Sequence, residues 1–124
     1  MRYADTDSSG AVHHATYLAY FDAARVEALR GLGVTLQDLA ARGVMMPVVE
    51  ARLVCLRPAR LDELLAVSVS LDRIGPASFS FDYEVARHGE LVATGWTRMA
   101  VIETASGRPV PLPTWVREVL HAAT

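Results

Sequence analysis

The sequence predicts an α+β fold in which one long helix near the start of the chain is covered by an antiparallel sheet of about four strands. Three observations predict it. Phe21, Ala24, Ala28 and Leu32 recur at helical spacing, with Tyr17 one turn earlier. Two later stretches alternate with period two: Leu65, Val67, Val69 and Leu71 against Ser68, Ser70 and Asp72, then Phe79, Phe81, Tyr83 and Val85 on one side. The breaks between these stretches, Gly75-Pro76 and His88-Gly89, are short and turn-forming, so neighbouring strands join as hairpins. A helix followed by a run of strands is the α+β order.

Met1 to Ala4 reads as a short first strand. Asp5 to Gly10 is a polar, acidic turn in which Gly10 is free to take a positive φ. Helical patterning starts near His13 or His14 and runs to about Arg30, with Gly31 and Gly33 as terminators. Phe21, Ala24 and Ala28 are expected to face the sheet, and Asp22, Arg25 and Glu27 to lie elsewhere on the surface. Thr35-Leu36-Gln37-Asp38 resembles a capping box and opens a short helix that ends at Gly43. Met45 to Leu56 reads as a strand, with Pro47 tolerable near its start and Arg57-Pro58-Ala59-Arg60 as its end. Leu64 to Ile74, Ser78 to Ala86 and Leu91 to Glu103 are the following strands. Thr114 is expected to cap a last helix through Leu120. No linker, internal repeat or low-complexity segment divides the chain, so one domain over 1–124 is expected.

Composition narrows the function classes. A net charge of −2 gives no electrostatic case for nucleic acid as a partner. No apolar run is long enough to span a membrane, and no signal peptide is visible at the start. Cys55 is the single cysteine, so no internal disulfide forms, and a reducing cytoplasm is the expected compartment. All the basic residues are Arg, which reads as coding bias and carries no functional meaning. Cys55 lies in the apolar run Leu53-Val54-Cys55-Leu56 and is expected to be inert core.

The chemistry is expected where the acidic turn meets the helix. A helix start carries unpaired backbone N–H groups and a partial positive charge. Such an end polarises a carbonyl, and a carboxylate aimed at it forms a small hydrolytic site. Asp7 is the first candidate for that carboxylate, although an Asp in a turn also serves as a cap or turn support. His13 and His14 are adjacent and so point about 100° apart on a helix, which does not suit a two-His metal site. No metal site and no cofactor are expected, because no ligand-spacing motif, G-x-G-x-x-G or P-loop occurs. No G-x-S-x-G elbow is present for a serine hydrolase triad.

Tyr3, Asp5-Thr6-Asp7, Gly10, Val12, His14, Tyr17, Phe21 and Ala24-Arg25 form a pattern that resembles the 4-hydroxybenzoyl-CoA thioesterase family of hotdog-fold proteins. The closest resemblance is to its YbgC-type acyl-CoA thioesterases, and it extends over almost the whole chain. The resemblance implies a hotdog fold and hydrolysis of an acyl-CoA thioester to free acid and CoA. It makes Asp7 the catalytic carboxylate, acting as general base or as nucleophile, with Asp5 structural. It places His14 close to that carboxylate and Tyr3 as a hydrogen-bond partner of Asp7. Arg73, Ser78, Met46 and Tyr17 are the expected substrate-binding residues. Uncovered sheet edges and the resemblance together imply a homodimer with a sheet continued across the two-fold, or a homotetramer built as a dimer of dimers, with active sites at the subunit interface. Two other functions are compatible with the fold. One is hydrolysis of an acyl group held on a carrier protein, with Arg57 to Arg60 as a basic rim. The other is binding of acyl-CoA without catalysis.

Overall fold

A computed structural model describes residues 14–60 and 63–123. The helix α1 (His14–Gly31) carries Tyr17, Phe21 and Leu29 buried along one stripe, with Ala24 and Ala28 half-buried beside them. It ends in a Schellman arrangement. The Val34 N–H bonds to the Leu29 carbonyl at 2.8 Å and the Gly33 N–H to that of Arg30 at 3.0 Å, while Gly33 takes φ 90°. Leu32, expected on the apolar stripe, instead falls in this turn and is 38 % exposed. The helix α2 (Leu36–Ala41) follows, with the Thr35 hydroxyl accepting from the Asp38 N–H at 3.0 Å.

The strand expected over 45–56 is two strands. β1 (Val44–Met45) is separated by Met46-Pro47 from β2 (Val48–Cys55). Pro47 has no N–H for the ladder, and the chain changes partner there. The strands β3 (Ala66–Ile74), β4 (Ser78–Arg87) and β5 (Glu90–Ala100) follow, and Val101 breaks β5 from β6 (Ile102–Glu103). β1 pairs with β6, while β2, β5, β4 and β3 lie in that order in one antiparallel sheet. The two breaks face each other, with the Ala100 N–H bonded to the Pro47 carbonyl at 3.1 Å. The β4–β5 connection is a two-residue turn with φ 50° at His88 and 78° at Gly89, as a tight hairpin requires.

The inner sheet face packs on α1. Phe79, Phe81, Tyr83 and Val85 are all buried, as the alternation predicts. The Phe21 ring stacks on Tyr83 with centroids 4.5 Å apart. It also lies over Gly95 in the middle of β5, where a built Cβ would collide with it. The close helix–sheet approach thus depends on this glycine as well as on the alanines of α1.

Last comes α3 (Thr114–Ala122), with Val116 and Leu120 buried. Pro113, not Thr114, occupies the cap position, and no side chain caps the helix; Thr114 is its first residue. Pro113 is held at φ −56°, which sets up the turn without a hydroxyl. Arg117 of α3 donates to the carbonyls of Gly75 and Pro76 at 3.0 and 2.9 Å and so pins the β3–β4 turn.

Cys55 is exposed rather than core. It lies on β2, which has a neighbour on one side only among the described residues. The same edge leaves Val48, Val49, Val54 and Leu56 exposed. Among the described residues no helix is long and apolar enough to cross a membrane.

Candidate active site

Tyr3 and Asp7 lie outside the described residues. His14, the position expected to stand beside Asp7, is the first described residue and already belongs to α1; its side chain is outside what the structure describes. One turn on, Tyr17 is 2 % exposed and meets Tyr20 edge to face at 6.3 Å. Burial pushes the Tyr17 hydroxyl pKa up, helped by Cys55 and Tyr20. This end of the helix therefore lies near the end of β2, where Cys55 pairs with Ala93.

Close by, an ion-pair ladder ties the connection after β2 to the β4–β5 hairpin. Arg87 contacts Glu63 and Glu90, each at 2.7 Å, and Arg57 lies 3.6 Å from Glu90. Glu63 also accepts from the Arg60 backbone N–H. Hydrogen bonding to Arg87 is the main cause that holds Glu63 and Glu90 below the usual carboxylate range. Arg57, expected as part of a basic rim, thus faces a carboxylate.

Arg73 and Ser78 stand elsewhere. They flank the β3–β4 turn, where Ser78 pairs with Ala100 and Arg73 with Ser80. From Ala93 to Ala100 along β5 is about 23 Å at ~3.3 Å per residue. Arg73 and Ser78 therefore lie at the opposite end of the sheet from His14 and Tyr17. Met46 belongs with them, at the break before β2. Among the described residues, the expected site residues form two groups, which one chain alone does not bring together.

A cavity of ≈ 340 Å³ opens at that second end, between the C-terminal half of α1, α2 and Met46. Leu29, Val34, Leu39 and Met99 form its apolar depth, and Arg25 lines one wall. Arg25 was expected on the surface, yet its side chain is only 11 % exposed. The signal was in the spacing: Arg25 stands four residues after Phe21 and four before Leu29, on the buried stripe. Reading Arg as surface by residue type hid it.

On the outer sheet face Asp72 occupies an irregularity in the β3–β4 register and accepts from Ser80 Oγ and Trp96 Nε1, both at 3.0 Å. These bonds, Trp96 first, hold its carboxyl below the usual range, while burial, then the Asp72 charge, pushes Asp82 up. Arg52 lies over the Trp96 ring at 4.4 Å. Among the described residues no group of His, Cys, Asp and Glu is arranged to hold a metal.

A long helix backed by a curved antiparallel sheet defines the class, and known proteins share it in detail. A crystal structure of a hypothetical protein from Thermus thermophilus superposes with a TM-score of 0.93 at 36 % identity, covering 100 % of this chain and 95 % of that one. The DHNA-CoA thioesterase of Staphylococcus aureus superposes with a TM-score of 0.90 at 25 % identity, covering 98 % and 85 %. The fold is the hotdog fold, and the second of these neighbours is a thioesterase. Within that class, the family model of the thioesterase-like superfamily matches residues 1–120, and this chain belongs to that superfamily. The acyl-CoA thioesterase YbgC of Haemophilus influenzae is 31 % identical over 121 residues, 96 % of this chain and 88 % of that protein.

Proposed function

We propose that this protein hydrolyses acyl-CoA thioesters to the free acid and CoA, with Asp7 as the reacting carboxylate at the start of α1. The observation that carries the reading is the family match, which runs from residue 1 to 120 and so spans the D-x-D-x-x-G motif that precedes α1 in the sequence. Asp7 takes a proton from water as the water oxygen bonds to the carbonyl carbon, or itself attacks to give a mixed anhydride that water opens. On either route the carbonyl oxygen gains negative charge. N–H donors at the helix start stabilise it, each good donor being worth ~10²–10³ in rate. The C–S bond then breaks and CoA leaves as its thiolate, which regains a proton. His14 orients the water or the carboxylate, and Tyr3 donates to Asp7.

In this reading the working unit is a homodimer joined along β2, alone or doubled into a tetramer. The exposed Val48, Val49, Val54 and Leu56 on a sheet edge support it. Antiparallel pairing of two β2 edges about a two-fold sets the Val48 end of one strand beside the Cys55 end of the other. The His14 end of one protomer then meets the partner's cavity end, uniting the two separated groups of site residues. Arg73, Ser78 and Met46 then contact substrate bound at the other protomer's helix start, with Tyr17 supporting that start from within. The compartment is the cytoplasm.

The test is thiol release from a panel of short aliphatic, long aliphatic, hydroxybenzoyl and phenylacetyl CoA esters, for wild type beside Asp7→Asn. Turnover by wild type and loss of it in a folded Asp7→Asn is the expected result. Near-wild-type turnover by the variant excludes Asp7 as base or nucleophile.

A further inference from the structure

The β3–β4 register is irregular between Leu71 and Arg73. Leu71 pairs with Phe81 and Ile74 with Phe79, and both phenylalanines are buried on the inner face. β3 therefore fits one more residue between these two pairs than β4 does, which is a bulge. In a regular strand the sides alternate, and Arg73, two residues after Leu71, would point into the core. The bulge moves it to the outer face, where it pairs with Ser80 and is exposed, with Asp72 exposed beside it.

The Asp72 carboxylate holds this bulge. Its Oδ2 accepts from Ser80 Oγ on β4 and from Trp96 Nε1 on β5, both at 3.0 Å, so one oxygen ties β3 to two strands. Arg52 of β2 lies over the Trp96 ring at 4.4 Å and keeps the indole in place. Ser80 is 3 % exposed, so its hydroxyl is shut off from water and needs an acceptor within the protein. Past the bulge, the Gly75 N–H bonds to the Ser78 carbonyl at 2.7 Å, and Arg117 donates to the Gly75 and Pro76 carbonyls. Arg73 thus stands between two fixed points.

We propose that Asp72 is a positioning residue for the thioester substrate: by accepting from Ser80 and Trp96 it fixes the bulge that turns Arg73 outward, and Arg73 then donates to a phosphate of CoA. The proposal rests on the acyl-CoA reading. A guanidinium on a fixed backbone gives up less freedom when it meets a phosphate. The Asp72 charge by itself works the other way, because a carboxylate beside Arg73 repels a phosphate. Geometry and charge therefore predict opposite signs for its removal.

CoA is titrated calorimetrically into wild type, Arg73→Met, Asp72→Ala and Asp72→Asn, each checked for its fold by thermal melting. Arg73→Met is expected to weaken CoA about tenfold, the size of a charge-assisted hydrogen bond. Asp72→Ala releases the bulge and is expected to weaken CoA about fivefold, and to add nothing in the Arg73→Met background. Asp72→Asn keeps an oxygen for both donors and is expected to stay within about twofold of wild type. The best acyl group of the thiol-release panel is then compared on CoA and on pantetheine, which has no phosphate. Asp72→Ala is expected to raise KM on CoA and so narrow the preference for CoA, whereas a loosened fold lowers both substrates alike. Unchanged or tighter CoA binding by Asp72→Ala overturns the proposal, and so does an equal loss in the Arg73→Met background. Should Asp72→Ala fail to fold, Trp96→Phe decides: it removes the indole donor and is expected to weaken CoA about threefold, and unchanged affinity overturns the proposal as well. Thioester turnover by wild type with full CoA affinity in Arg73→Met overturns the positioning role and leaves hydrolysis standing. The expected binding pattern with no thioester turned over would sink the hydrolase reading and leave the positioning role standing.

Discussion

Gly95 shows how much a single missing carbon carries. Phe21 is fully buried between the sheet and α1, and its ring stacks on the equally buried Tyr83. The ring therefore has nowhere to go when a methyl group appears beneath it. Gly95→Ala is expected to cost about 1–3 kcal/mol, the usual range for overpacking a tight core. Urea denaturation checks this as a lower midpoint at unchanged slope. Asp72 makes a second residue-scale case. Its lowered pKa means that it contributes stability above the unfolded value of about 3.9, and that this is lost as pH falls through the lower folded value. Asp82, raised by burial and then by Asp72, works in the opposite sense. Its contribution is present below the unfolded value and is lost as pH rises through the raised folded one. Trp96→Phe removes the main donor to Asp72. A carboxyl titration followed by NMR should show the Asp72 midpoint move upward and acid-side stability become less steep; an unmoved midpoint would mean that the indole is not the cause.

At the scale of elements, the helices and turns nearest the cavity are built from short-range signals. Thr35 caps α2 through the Asp38 N–H, and the turn before it is closed by Gly33. Val34 and Leu29, the hydrophobic pair of that turn, are both buried and both line the cavity. Thr35→Ala should therefore cost ~1 kcal/mol and loosen the cavity wall, seen as a lower melting temperature and faster amide exchange over 36–41. These features were legible because each is written within a few residues: cap, αL glycine and apolar spacing. The hairpins were legible for the same reason. The break of one expected strand into β1 and β2 was not read, although Pro47 marked it. A proline near a strand start is compatible with a continuous edge strand, and only the facing break at Val101 shows that both strands change partner together.

On the scale of the whole molecule, the sheet edge and the two ends of the sheet decide what the chain does. Val49 is 47 % exposed on the β2 edge. Val49→Lys places a charge where the proposed dimer pairs, so it should turn a dimer into a monomer by light scattering and lower thiol release with it. A variant that stays dimeric would exclude β2 as the interface. The sequence by itself determined the fold class, the inner sheet face and the family, because those follow from local periodicity and from one dense motif ahead of the helix. Its candidates Arg73, Ser78 and Met46 were chosen without knowledge of where the sheet would carry them. Tertiary structure alone decided that they lie a sheet's length from His14, that Cys55 is exposed and that Arg25 is half-buried beside a cavity. Those outcomes depend on which strand is left at the edge and which side of α1 meets it. Such relations join residues far apart in the chain, and no local pattern of apolar and polar residues encodes them.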